Sequence, residues 1–102
     1  MQFSLVRHGL VFSTRSRGSR MRAELLETID DAKTVVTIDF AGVQSASYSF
    51  LDEFVGKLAG SMAPNAPKLI NVPPMIARTI ESSLRRRGLD AERILAASLE
   101  VV

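Results

Sequence analysis

The chain has 102 residues, 46% of them apolar and 24% charged, a net charge of +2 and no cysteine. That length fits one domain, residues 1–102, able to bury a core without metal or disulfide staples, and the hydrophobicity is too high for a disordered chain. Disulfide scaffolds and thiol chemistry are excluded, no apolar run reaches membrane-spanning length, and Met1-Gln2-Phe3-Ser4-Leu5-Val6-Arg7 lacks a leader peptide's charged start and long apolar core, so a soluble cytoplasmic protein is expected.

In chain order, Gln2 to Arg7 and Leu10 to Thr14 read as short strands joined at His8-Gly9, an opening hairpin whose glycine supplies a tight turn. Ser16 to Ser19 reads as a polar loop. Met21, Leu25, Ile29 and Ala32 then fall at helical spacing, with Arg22, Glu24, Glu27 and Asp30 turned outward. Thr34 to Phe40 is a β-branched run that predicts a central strand, with Asp39 as its polar exception. It empties into a loop rich in hydroxyls, Ser45, Ser47, Tyr48 and Ser49.

A second helix is predicted from about Ser49, where Ser49 and Asp52 have the spacing of a capping box and Phe50, Leu51, Phe54, Val55, Leu58 and Met62 form the apolar stripe. Asp52, Glu53 and Lys57 read as a solvated face. Pro64 and Pro67 stop this helix, Lys68 to Val72 reads as a buried strand, and Pro73-Pro74 opens a third helix that turns Ile76, Ile80 and Leu84 inward. Arg85-Arg86-Arg87-Gly88 ends it, with cations at the negative pole of the helix and glycine as the stop. Asp90 caps a last short helix through Ala97, and Leu99 to Val102 reads as an edge strand. The order of elements gives an α/β domain: a mixed, mainly parallel sheet of four to five strands with helices.

The opening strands, the segment from Thr14-Arg15 to Arg20, Val36 to Phe40 with Gly42-Val43, Ser49-Phe50-Leu51-Asp52-Glu53 and the Asn71 strand end resemble the STAS-like domain family, relatives of the anti-sigma factor antagonists. The likeness covers nearly the whole chain. Its most specific part is an Ile-Asp-Phe-x-Gly-Val strand exit paired with a Ser-Phe-x-Asp-Glu helix start. The resemblance implies a small α/β regulatory domain that docks on an ATP-binding, kinase-like protein and is released when a hydroxyl at the start of helix two is phosphorylated. In the antagonists that loop reads Asp-Ser-Ser-Gly, with the first serine as acceptor. Here the aligned residues are Ser47-Tyr48-Ser49-Phe50, so the acceptor slot falls on Tyr48, and Ser49 or Ser47 must substitute or the switch is absent.

From the residues alone, a phosphate on Ser49 would lie nearest the free N–H groups of the helix start, yet within one turn of Asp52 and Glu53, which would repel it. Tyr48 reads as an exposed aromatic anchor. Asp39 is expected to bond loop amides and hold the loop's shape, while Asp52 and Glu53, about 100° apart on a helix, do not form an acid/base pair. The partner face thus comprises Tyr48, Asp39, Asp52 and Glu53, joined by Arg15, Arg17 and Arg20.

Those arginines, with Arg22, also admit a nucleotide or nucleic-acid reading. It is the weaker one: neither Gly-x-x-x-x-Gly-Lys nor Gly-x-Gly-x-x-Gly occurs, and of six aromatic residues Phe3, Phe12, Phe40, Phe50 and Phe54 fall on predicted core faces. A homodimer built from helix faces is a third reading. No enzyme, metal site or cofactor is expected. His8 is the single histidine, no Gly-x-Ser-x-Gly elbow is present, and a catalytic Ser49, His8, Asp39 set is the weaker alternative to His8 as a turn residue.

Overall fold

Every strand pairing is parallel among the residues described by the computed structural model, which are 1–29, 34–62 and 65–100. β3 (Thr37–Asp39) is the centre of a three-stranded sheet, flanked by β1 (Gln2–Ser4) and β5 (Lys68–Ile70). Phe3 lies opposite Ile38, and Ile38 opposite Leu69. Ile38 and Leu69 are fully buried, while the Thr37 and Asp39 positions on the other pleat are not. A second pair, β2 (Val11–Phe12) beside β4 (Ser45–Ala46), continues the same neighbour relation further along the chain.

The α/β class and five mainly parallel strands agree with the sequence reading, but the opening hairpin does not form. Leu5–Arg7 makes a turn of 3-10 helix, and β1 and β2 pair with β3 and β4 instead of with each other. Leu5 is fully buried in that turn, so burial rather than turn chemistry at His8-Gly9 decides the path.

α1 (Arg15–Glu27) starts earlier than its composition suggests, and the supposed loop Ser16 to Ser19 is its first turn. Thr14 caps it by accepting from the Arg17 amide at 3.2 Å. Gly18 is required by contact: a Cβ there would come within 2.7 Å of the Phe50 carbonyl. Ala32 and Asp30 of the expected helix lie outside the described residues, as does Pro64.

The second helix is one run of three parts. α2 (Tyr48–Leu51) leads into a wide π-wound segment (Asp52–Gly56) and then α3 (Lys57–Ser61). The wide segment packs against both α1 and α4 (Pro74–Arg86). Phe12, Phe40, Phe50 and Phe54 are fully buried, and the Phe12 and Phe50 rings lie 4.9 Å apart.

α4 turns Ile76, Ile80 and Leu84 inward as expected and ends before Gly88, whose φ of +71° suits glycine. Asp90 caps α5 (Ala91–Glu100) through the Arg93 amide at 3.1 Å. α5 lies against β5 and α4 and carries the chain helically through Leu99 and Glu100, which overturns the edge strand expected there; Val101 and Val102 are outside the described residues. The cap, with Ala91 and Ile94 buried at helical spacing, outweighs the weak alternation of the tail.

Candidate functional site

The hydroxyl cluster emerges where β4 meets α2. Ser47, not Ser49, is the capping residue: its Oγ accepts from the Phe50 amide at 3.1 Å and donates to the Ser13 carbonyl at 3.1 Å. The helix therefore begins two residues earlier than the Ser49–Asp52 box implied, because the strand's own exit already points a serine at the first free amides. Ser49 makes no side-chain hydrogen bond among the described residues. Ser47, Tyr48 and Ser49 are all half-buried, so the cluster is neither sealed nor fully displayed. Tyr48 is not a bare anchor: the Arg86 guanidinium lies over its ring, 5.6 Å from the centroid.

One turn further on, Asp52 and Glu53 are 8% and 6% exposed, which corrects their reading as a solvated face. Loose winding and neighbours on two sides cause the difference: the face that looked free is covered by α1 and α4. Asp52 accepts four hydrogen bonds, the full capacity of a carboxylate. Its Oδ1 takes Ser83 Oγ at 2.7 Å and Arg87 Nε at 2.9 Å; its Oδ2 takes Arg87 Nη2 at 2.9 Å and Arg15 Nη1 at 3.0 Å. Glu53 receives Lys57 Nζ at 2.8 Å on Oε1 and Arg15 Nη1 at 3.0 Å on Oε2, with Arg22 Nη1 3.6 Å from Oε1. Arg22 also donates to the Glu53 carbonyl at 2.6 Å, a backbone acceptor within the wide turn.

The Arg87 hydrogen bonds, helped by Ser83 and Arg15, hold the Asp52 carboxyl well below the usual carboxylate range against the opposing effect of burial. Lys57, then Arg15, lower Glu53 in the same sense. Both are fixed anions, and neither has the raised pKa of a general acid. Gly56 completes the packing, since a Cβ there would collide with Ser83 Oγ and approach Arg87 Nε at 2.8 Å.

The remaining expected residues divide. Arg15 joins the buried carboxylates. Arg17 clips the loop before β2, with Nη2 donating to the His8 carbonyl and Nη1 to the Val11 carbonyl at 3.0 Å, and its guanidinium lies 4.5 Å over the Phe12 ring. Arg20 shares a separate surface recess with His8, Arg17, Met21 and Glu24. His8 stacks on Phe3 at 4.9 Å. Asp39 does bond its loop: Oδ1 accepts from the Ala41 amide at 2.9 Å and Asn71 Nδ2 at 3.0 Å, and Oδ2 from Gln2 Nε2 at 3.3 Å. Arg85 pairs with Glu81, but Arg87 leaves the helix end to reach Asp52, contrary to the expectation that all three arginines serve the helix terminus.

Sequence reading did not pick out Arg22, Lys57, Ser83 and Arg87 as partners of Asp52 and Glu53. Glu53 and Lys57 at i,i+4 were the one local signal; Ser83 and Arg87 come from 31 and 35 residues away. No helix is long and apolar enough to cross a membrane, and no metal-holding group of three or more His, Asp or Glu occurs, among the described residues.

No curated protein and no solved structure matched the chain. The profile of the STAS-like domain of unknown function (DUF4325) does match, over residues 17–72, which run from the first turns of α1 through the hydroxyl cluster and the two buried carboxylates to the end of β5. With more than half of its length so matched, the chain belongs to the family of STAS-like domains.

Proposed function

We propose that this domain is a regulatory protein-interaction module that docks through the start of its second helix on an ATP-binding, kinase-like partner, and that a phosphate on Ser49 is the switch. The observation that carries the reading is the state of the two serine candidates. Ser47 has its oxygen engaged on both sides, by the Phe50 amide and the Ser13 carbonyl, whereas the half-buried Ser49 hydroxyl has no hydrogen bond among the described residues. A kinase reaching this loop can take Ser49 without dismantling the cap.

Electrostatics supports the same residue. Repulsion by Asp52 and Glu53 was the objection to a phosphate there, but Arg15, Arg22, Lys57 and Arg87 surround those carboxylates with more positive charge than they carry. A group of about −1.5 to −2 charge then adds to a cationic neighbourhood. The test is phosphopeptide mapping of the protein isolated from its own cells, with partner capture by Ser49→Ala and Ser49→Asp variants. A phosphate on Ser49 and a changed set or affinity of partners for Ser49→Asp alone is expected. Phosphate confined to other residues, or identical capture by both variants, overturns the switch.

A further inference from the structure

We propose that the ridge formed by Arg15, Tyr48, Arg86 and Arg87 is a docking surface for an acidic, Asp/Glu-rich segment of a partner protein. The proposal rests on the reading of the helix-two start as a docking face and names the chemistry of what docks there. Its first support is the distribution of charge. Around the wide turn, four cationic side chains, Arg15, Arg22, Lys57 and Arg87, meet two carboxylates, and a fifth, Arg86, lies beside Arg87 over the Tyr48 ring. The surplus of three exceeds the net +2 of the entire chain, so the remaining residues sum to a net −1 and this cluster carries the excess positive charge.

The second support is preorganisation. Arg15 uses Nη1 on both buried carboxylates, and Arg87 uses Nε and Nη2 on Asp52. The other N–H groups of both guanidiniums make no hydrogen bond among the described residues, although their side chains are 49% and 30% exposed. The buried carboxylates thus hold two planar donors in place with spare N–H groups, so an incoming carboxylate meets groups whose side-chain freedom is already lost. Arg86 lies exposed over the half-buried Tyr48 ring beside them and is held by no carboxylate among the described residues. A lone aromatic ring already covered by a guanidinium offers no stacking ladder for bases, which favours a carboxylate-bearing peptide over a nucleic acid.

The experiment is an NMR titration of the ¹⁵N-labelled full chain with a hexaglutamate peptide, at low and at physiological salt, on the native sequence, Arg86→Gln and Arg20→Gln. The two variants remove the same charge from exposed positions, and only Arg86 lies on the ridge. Saturable shifts at Arg15, Tyr48 and Arg86 that weaken with salt are expected. Arg86→Gln should weaken binding about two- to fivefold, the range of an exposed ion pair, and Arg20→Gln should leave it unchanged. Equal effects of the two variants, shifts centred on His8, Arg17 and Arg20, absence of saturable binding, or tighter binding of a short DNA duplex at the ridge would each overturn the proposal. Failure here leaves the Ser49 capture experiment untouched, and a negative capture experiment leaves these shifts in place, so the two readings fall separately.

Discussion

Two carboxylates, Asp39 at the end of a β-branched strand run and Asp52 after Phe50-Leu51 in a helix, end in opposite circumstances. Asp39, at the end of β3, is half-exposed and bonded to the Ala41 amide two residues on and to two neutral side-chain amides. Asp52 is buried and receives four donors, three of them cationic N–H groups, from residues 31 to 37 positions away. Neutral, solvent-touched hydrogen bonds contribute modestly, whereas a buried charge surrounded by cations cannot lose a partner without stranding the rest. Asp39 links its loop to Gln2 of β1 and to Asn71 just after β5 through neutral groups at the surface, whereas Asp52 ties α1, the second helix and α4 to each other through buried charge.

The largest expected effect breaks that tie. Asp52→Asn should cost about 3–5 kcal/mol in urea unfolding, while Asp39→Asn should cost about 1 kcal/mol; equal losses would erase the distinction between the two sites. Acid should test the Asp52 site. The Asp52 carboxyl titrates below its ordinary value in the folded state, so its contribution is complete above about pH 4 and is lost as pH falls through the lower folded value. Stability should therefore drop below about pH 4 in the native sequence and drop less in Asp52→Asn. Indistinguishable acid profiles for the two would place the acid sensitivity elsewhere.

Smaller effects sharpen the picture of the packing that makes Asp52 possible. Gly18→Ala should cost about 1–3 kcal/mol, because the added methyl meets the Phe50 carbonyl and backbone yields poorly. Gly60→Ala, on α3 with nothing within 4 Å, should gain about 0.5–1 kcal/mol and serves as the control for thermal unfolding. Ser47→Ala should lose about 1 kcal/mol and Ser49→Ala almost nothing. The reverse order would return the cap to Ser49.

What was legible in the sequence follows the same division between near and far. Asp39's bond to the Ala41 amide, the inward row Ile76, Ile80 and Leu84, the Gly88 stop and the Asp90 cap all depend on residues within a turn or two, and the pattern announces them, whereas Asp39's bonds to Asn71 and Gln2 cross 32 and 37 positions and are not announced. Thr34 to Phe40 and Lys68 to Val72 were readable as buried strands from their β-branched and apolar runs, though only Thr37–Asp39 and Lys68–Ile70 pair. The hairpin failed because His8-Gly9 satisfies turn chemistry while Leu5 is drawn into the core before the turn can close. Ser16 to Ser19 reads as a loop because serine, glycine and arginine are loop-like when nothing nearby in the sequence needs Gly18's missing side chain. Asp52 and Glu53 were misplaced for the strongest reason: helical periodicity assumes 3.6 residues per turn, and a wide turn covered on both flanks violates both assumptions that place a charge in water.

The all-parallel pairing has a kinetic consequence. Gln2 finds Thr37 and Thr37 finds Lys68, so each neighbour in the main sheet lies more than thirty positions along the chain, with a helix to be laid down between them. A ribosome must release the chain beyond Ile70 before the sheet can close, and until then β3 presents a raw edge on the side that β5 will cover. Protection of the Phe40 amide, which donates to the Ile70 carbonyl, should arrive together with that of the Lys68 amide, which donates to the Val36 carbonyl, as one late event in biosynthesis.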